Sequence, residues 1–234
     1  MRNVFARGAA AGGLAGLVSG VVSYLLVEPT VDRAIALEGA GDGPVSRHVQ
    51  KVYGLTSGAV LGGIALGLLF ALAFRVLPSK RSAWDKSVGL GVGGFAALIL
   101  IPQLRYPSNP PGVGDSSTIA ERTSGYLFAV ALGVAVVCAA YFTLRRLDAR
   151  GVPARVRQPA VLGASVLVIG LGYLALPSVA VTYDLPANLL WQFRVQSLGI
   201  QSLLLTVLTA TFGVLAERVT RTPSAPDSPA RLLV

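Results

Sequence analysis

Six long apolar stretches alternate with short polar ones along this chain, at roughly residues 8–27, 54–77, 87–104, 124–144, 160–181 and 195–216. None carries a charge in its middle. The segment Leu55–Leu77 has no charged residue before Arg75, and Ala160–Val181 has none at all. An α-helix needs about 20 apolar residues to cross about 30 Å of hydrocarbon, and most of these stretches approach or exceed that. The pattern predicts an all-α integral membrane protein, a bundle of about six transmembrane helices. The third stretch is the weakest, being short and holding Gly89, Gly91, Gly93 and Gly94. A re-entrant third segment, which would leave five spans, is the alternative.

Glycine spacing adds a packing expectation. Gly8, Gly12, Gly16 and Gly20 recur every four residues and therefore line one face of the first helix. Gly58 with Gly62, and Gly63 with Gly67, repeat this in the second. Small residues at this spacing let helix backbones approach closely in lipid, where hydrophobicity alone does not bring helices together. The expected use is packing within the bundle; a homo-oligomer formed through the first helix is the alternative. Pro29, Pro102 and Pro177 close the outward-running segments at spacings of 73 and 75 residues, which suggests three helical hairpins in parallel orientation.

Composition leaves little room for a soluble domain: of 234 residues, 53% are hydrophobic and 13% charged. Residues 1–217 read as one transmembrane domain. Residues 218–234, with Pro223, Pro226 and Pro229, read as a disordered cytoplasmic tail. A net charge of +9 suggests nucleic acid only if location is ignored. With six spans and an inside N-terminus, 14 Lys and Arg fall in inside segments and 6 outside. That asymmetry predicts cytoplasmic N- and C-termini in a multi-pass protein of the cell's inner (plasma) membrane. The N-terminal run is longer than the roughly 7–15 residues of a signal-peptide core and ends in Val27-Glu28-Pro29, so it reads as a retained span. Cys138 stands alone in an apolar stretch, which excludes an internal disulfide.

The chemistry-bearing residues gather in the outer loops. Glu28 and Asp32, four apart, share a face of any helix that begins near Pro29; Glu38 and His48 follow in the same loop. The second loop, Tyr106–Asp115, holds three prolines in five residues and is stiff and extended, with Asp115 near its end. Asp115 or Thr118, with Glu121, suits the cap of the fourth helix. Arg105 and Arg122 are placed to pair with Asp115 and Glu121. The third loop holds Asp184, Trp191 and Arg194. Divalent transition metals accept carboxylate, imidazole and water ligands. With one His and no cysteine cluster, any metal site here must be carboxylate-rich, drawn from Glu28, Asp32, Glu38, His48, Asp115 and Asp184. The alternative is that these acids are solvated helix ends. No ionisable residue lies deep in a span, and Gln196 and Gln201 are the nearest polar candidates. No phosphate-binding Gly-x-x-x-x-Gly-Lys-Ser/Thr, no His-Glu-x-x-His and no Gly-x-Ser-x-Gly occurs, so ATP hydrolysis by that loop, zinc proteolysis and serine esterase chemistry have no visible machinery.

Three stretches carry a family resemblance: Glu28-Pro-x-x-Asp32…Glu38; Tyr106-Pro107-x-Asn109-Pro110-Pro111-x-Val113-Gly114-Asp115…Arg122-Thr123; and Leu189-Leu190-Trp191-x-Phe193-Arg194-x-x-Ser197-Leu198-Gly199. Together they resemble the CbtA family, predicted cobalt transporter subunits of bacteria, over nearly the whole chain to about residue 217. The resemblance implies a metal-ion transport subunit that takes up cobalt for cobalamin synthesis and has a small one-span partner, CbtB, bearing histidines. Cobalt is then the transported substrate, no cofactor is bound permanently, the remaining partners are membrane lipids, and the protein is not an enzyme. A non-transporting membrane scaffold and an intramembrane enzyme acting on lipid head groups are the competing readings.

Overall fold

The computed structural model describes residues 2–38, 46–111, 113, 116–176 and 185–220. Seven helices account for most of them: α1 (Arg2–Leu26), α2 (Glu28–Glu38), α3 (Arg47–Val76), α4 (Ala83–Arg105), α5 (Ile119–Ala149), α6 (Ala154–Ala175) and α7 (Ala187–Thr220). All but α2 are long and apolar enough to cross a membrane, which gives the six expected spans, and no strand occurs among the described residues. The third span is a full helix and not a re-entrant segment: its 23 residues rise about 35 Å at 1.5 Å each.

Local sequence explains the ends and irregularities. Ser46 caps α3, its hydroxyl accepting from the Val49 N–H, and Ser82 caps α4 by accepting from the Asp85 N–H at 3.0 Å. Thr118 precedes α5 but makes no side-chain cap there. α3 opens through a π-turn at Gln50–Gly54 and α4 carries another at Ala96–Leu100. The second has a cause in the sequence. Pro102 has no N–H to donate, and the Ile101 N–H reaches back five residues to the Ala96 carbonyl, so the turn widens. Between α5 and α6 the chain reverses at Gly151, whose φ of 74° is the left-handed conformation that glycine adopts at least cost.

Small residues draw the helices together. α1 lies against α3 so closely that a Cβ on Gly12 would sit 3.0 Å from the Gly67 Cα, and one on Gly16 would sit 2.9 Å from the Val60 Cα. The expected glycine face of α1 is therefore used inside the bundle. On α3 only Gly63 and Gly67 serve; Gly58 and Gly62 face open space. α1 also packs on α7, α7 on α4, α4 on α5, and α5 on α6. The core sits among α1, α3, α4 and α7, with Ala11, Ala15, Leu208 and Phe212 at its centre. Phe212 meets Phe70 and Phe74 edge to face, with centroids 5.2 and 5.0 Å apart.

Two sequence boundaries shift. α6 starts at Ala154 and ends at Ala175, so Pro159 lies inside its first turns and Pro177 lies outside the described residues. α7 starts at Ala187, which turns part of the expected third loop, with Trp191 and Arg194, into helix, and it runs on through Arg218 to Thr220. The rest of the expected tail lies outside the described residues. The three-hairpin expectation holds for α1 with α3 and for α4 with α5. α6, however, packs mainly against α5 and leaves α7 to α1 and α4.

Candidate functional site at one end of the helix bundle

α2 positions the first two candidate residues. Val27 just before it and Thr30 and Ala34 within it are buried and fix this amphipathic helix across the C-terminal end of α1, beside α7. That leaves Glu28 and Asp32, one turn apart, turned toward the start of α3. There Arg47 and Lys51, also one turn apart, meet them. Arg47 pairs with Glu28 and, at 3.1 Å, with Asp32; Lys51 pairs with Asp32. Two acids and two bases thus form one ladder of neutral net charge. Glu28 is its inner member, with a side chain 12% exposed, whereas Asp32 is 41% exposed. Partial burial pushes the Asp32 carboxyl up, but the hydrogen bonds and charges of Lys51 and Arg47 outweigh it and hold the group below the usual carboxylate range.

The other expected ligands join this pair less directly. His48 is exposed on the first turn of α3, next to Arg47. Glu38 closes α2, six residues beyond Asp32 and so about 9 Å further along the axis. The Glu38 side chain, Asp115 and Asp184 lie outside the described residues. Among the described residues, no three His, Cys, Asp or Glu side chains come together as a metal would require.

The Pro-rich loop is tied down by arginines; the expected partner Asp115 lies outside the described residues. Arg105 donates to the Leu176 carbonyl at 3.1 Å and lies over the Tyr106 ring. Arg122 donates to the Val113 carbonyl at 3.1 Å, and Arg194 to Asn109 Oδ1 at 3.0 Å. Tyr106 packs over Gly125 of α5, where any side chain would collide with the ring. Pro110 and Val113 are buried beneath.

A line of uncharged polar groups descends from this end along α7. Gln196 donates to the Leu26 carbonyl at 2.8 Å, where α1 gives way to α2 just before Glu28. One turn deeper, Gln103 Nε2 of α4 donates to Gln201 Oε1 at 2.9 Å. Further in, Ser87 donates to the Thr209 carbonyl at 2.7 Å. Among the described residues, Gln196 Oε1 and Thr209 Oγ1 are buried without a partner, a state that costs roughly 1–3 kcal/mol each unless something else binds them. The distance from Gln196 to Thr209 is about 20 Å of helix.

Sequence reasoning missed the bases of the ladder and the second glutamine. Arg47 and Lys51 had a usable signal: their four-residue spacing matches that of Glu28 and Asp32. Gln103 had one too, as the only amide in its span.

No curated protein and no solved structure matches this chain. A family described as "Probable cobalt transporter subunit (CbtA)" matches residues 1–217, nearly the whole length, in keeping with six membrane-spanning helices. The chain therefore belongs to the CbtA family of multi-pass membrane transporter subunits.

Proposed function

We propose that this chain is the multi-span subunit through which cobalt crosses the inner membrane to supply cobalamin synthesis. The observation that carries the reading is the paired carboxylates of Glu28 and Asp32, held at the outer mouth directly above Gln196 and the polar line of α7. The 14-to-6 distribution of basic residues supports a cytoplasmic N-terminus, and with it a mouth on the outer side. A divalent cation competes with Arg47 and Lys51 for the two carboxylates, a substitution of charge for charge that leaves no buried acid uncompensated. Glu38, His48 and Asp115, from the same outer loops, are the further ligands we assign to it. Beyond them the amides of Gln196, Gln103 and Gln201 and the hydroxyl of Thr209 offer oxygen ligands. With a single His, the chain leaves imidazole ligands to a partner; a small one-span protein bearing histidines fills that role.

The second reading is a membrane scaffold for that partner. It is favoured by the ion-paired state of the acids and by the absence of ionisable residues from the middle of the spans. Cobalt accumulation in cells expressing this chain alone, the partner alone and both separates the two. Transport through this chain predicts that Glu28→Gln lowers accumulation when both are present while the complex still forms. A scaffold predicts that accumulation follows complex formation only.

A further inference from the structure

The opposite, basic end of the bundle carries a groove that ion transport leaves unused. α4 and α5 are closest near mid-span, where Gly133 lies against the Ala97 carbonyl and Gly93 faces Val137. From there toward the basic end the first half of α4 leaves α5 and packs on α7 instead. The loop joining α3 to α4 closes over the resulting wedge: Arg145 of α5 donates to the Pro78 carbonyl at 2.6 Å, and Tyr141 donates to the same oxygen. Between Pro78 of that loop and one face of α5 lies a groove of about 490 Å³.

Its two ends differ in chemistry. The floor is Ala139, Phe142 and the side of Thr143, reaching toward the hydrocarbon; the lip is Arg145 and Arg146. Ala139 and Arg146 are seven residues apart, about 10 Å along α5, so the floor lies at acyl-chain depth when the lip lies at head-group depth. Arg145 is engaged with Pro78, whereas Arg146 is exposed. Lys80 and Arg81 on the adjoining loop and Arg150 beyond the lip are exposed too. The acids nearby are Asp85 in the first turn of α4 and Asp148, which is paired with Arg157 at 2.5 Å. The surplus is clearly positive. A guanidinium presents a planar fork that suits a phosphate. A soluble anion has no use for the apolar floor, and a partner helix has none for the cationic lip.

We propose that this groove seats one anionic phospholipid, its phosphate on Arg146 and Arg145 and one acyl chain along Ala139, Phe142 and Thr143. Bound there, the lipid covers this face of α5 beside Pro78 and ties the α3–α4 loop to the membrane surface. Basic pockets between helices on the positive side of a membrane protein are suited to such lipids.

The test is native mass spectrometry of the purified full chain in detergent with equal amounts of phosphatidylglycerol or phosphatidylcholine added. The expected result is at least five-fold greater retention of phosphatidylglycerol. Arg146→Gln at the lip and Thr143→Trp across the floor should each reduce that retention several-fold. Arg155→Gln, which removes an exposed charge from the same end of α6, should leave it unchanged. Should Arg146→Gln fail to purify, Thr143→Trp carries the same test from the apolar side. Equal retention of the two lipids, equal loss in Arg155→Gln, or full displacement by inorganic phosphate would each overturn the proposal.

Discussion

α1 and α6 are both apolar helices of spanning length, yet the bundle holds them in different ways. In α1 a third of the most apolar window is buried; in α6 it is 6%. Hydropathy does not separate them, at 1.7 and 1.6. The difference lies in what small residues meet. The glycines of α1 oppose Gly63, Gly67 and Ala59 of α3, backbone against backbone. In α6, Gly163 and Gly170 meet nothing, and only Gly172 touches a neighbour, the Leu132 side chain. Hydrophobicity inserts a helix into lipid, but close contact through small residues decides which neighbour it keeps. The contrast has a functional side. α1 leads into Glu28 and Asp32, and α3 begins with Arg47 and Lys51, so the tightest helix pair carries the ion-pair ladder.

The largest effect should come from breaking that contact. Gly12→Leu drives a side chain into α3 and should cost more than about 3 kcal/mol, or abolish recovery of folded protein. Gly62→Leu, next to the tight Gly63 but facing open space, should purify at wild-type yield. Size-exclusion yield and thermal midpoint measure both. Equal behaviour of the two variants would erase the distinction between the faces of α3.

A smaller effect is expected between α4 and α7. Gln201→Leu strands the Gln103 amide and should cost about 1–2 kcal/mol, while the double change Gln103→Leu with Gln201→Leu recovers most of it. Cobalt uptake should fall in both if these amides lie on the ion's route. A double variant that regains stability but not uptake separates packing from passage.

On α6 the expected effect is smallest. Gly163→Leu or Gly170→Leu should change stability by no more than about 0.5 kcal/mol.

Much of this was legible in the sequence. The six spans follow from hydropathy, because a bilayer imposes length and composition on any helix that crosses it. The use of Gly8, Gly12 and Gly16 follows from their four-residue period, and the common face of Glu28 and Asp32 from theirs. Other features depend on the third dimension. Gly58 with Gly62 and Gly63 with Gly67 have the same spacing, and only the rotation of α3 against α1 selects the second pair. The neutral ladder was hidden because its partners stand 15 and 19 residues apart, a separation at which order along the chain does not pair side chains.

Proton linkage gives a modest check on the ladder. The carboxyl of Asp32 is held below its ordinary 3.8, so its ion pairs add stability that is fully present above that value and lost as pH falls through the lower folded value. The wild type should exceed Lys51→Met by no more than about 1 kcal/mol near neutral pH, because the pair is partly exposed. That margin should disappear in strong acid. A margin that grows on acidification would contradict the ion pair.

The central claim, that Glu28 and Asp32 receive the transported cation, is tested most directly by cobalt uptake in cells expressing the partner with each variant, across a range of ionic strength. Glu28→Gln with Asp32→Asn should lower uptake at every salt concentration with expression intact, since ligands are lost as well as field. Lys51→Met, which removes one of the two cations competing for Asp32, should lower the cobalt concentration needed for half-maximal uptake. Wild-type uptake in the doubly neutralised variant at all ionic strengths would contradict the claim and leave the ladder a structural clasp.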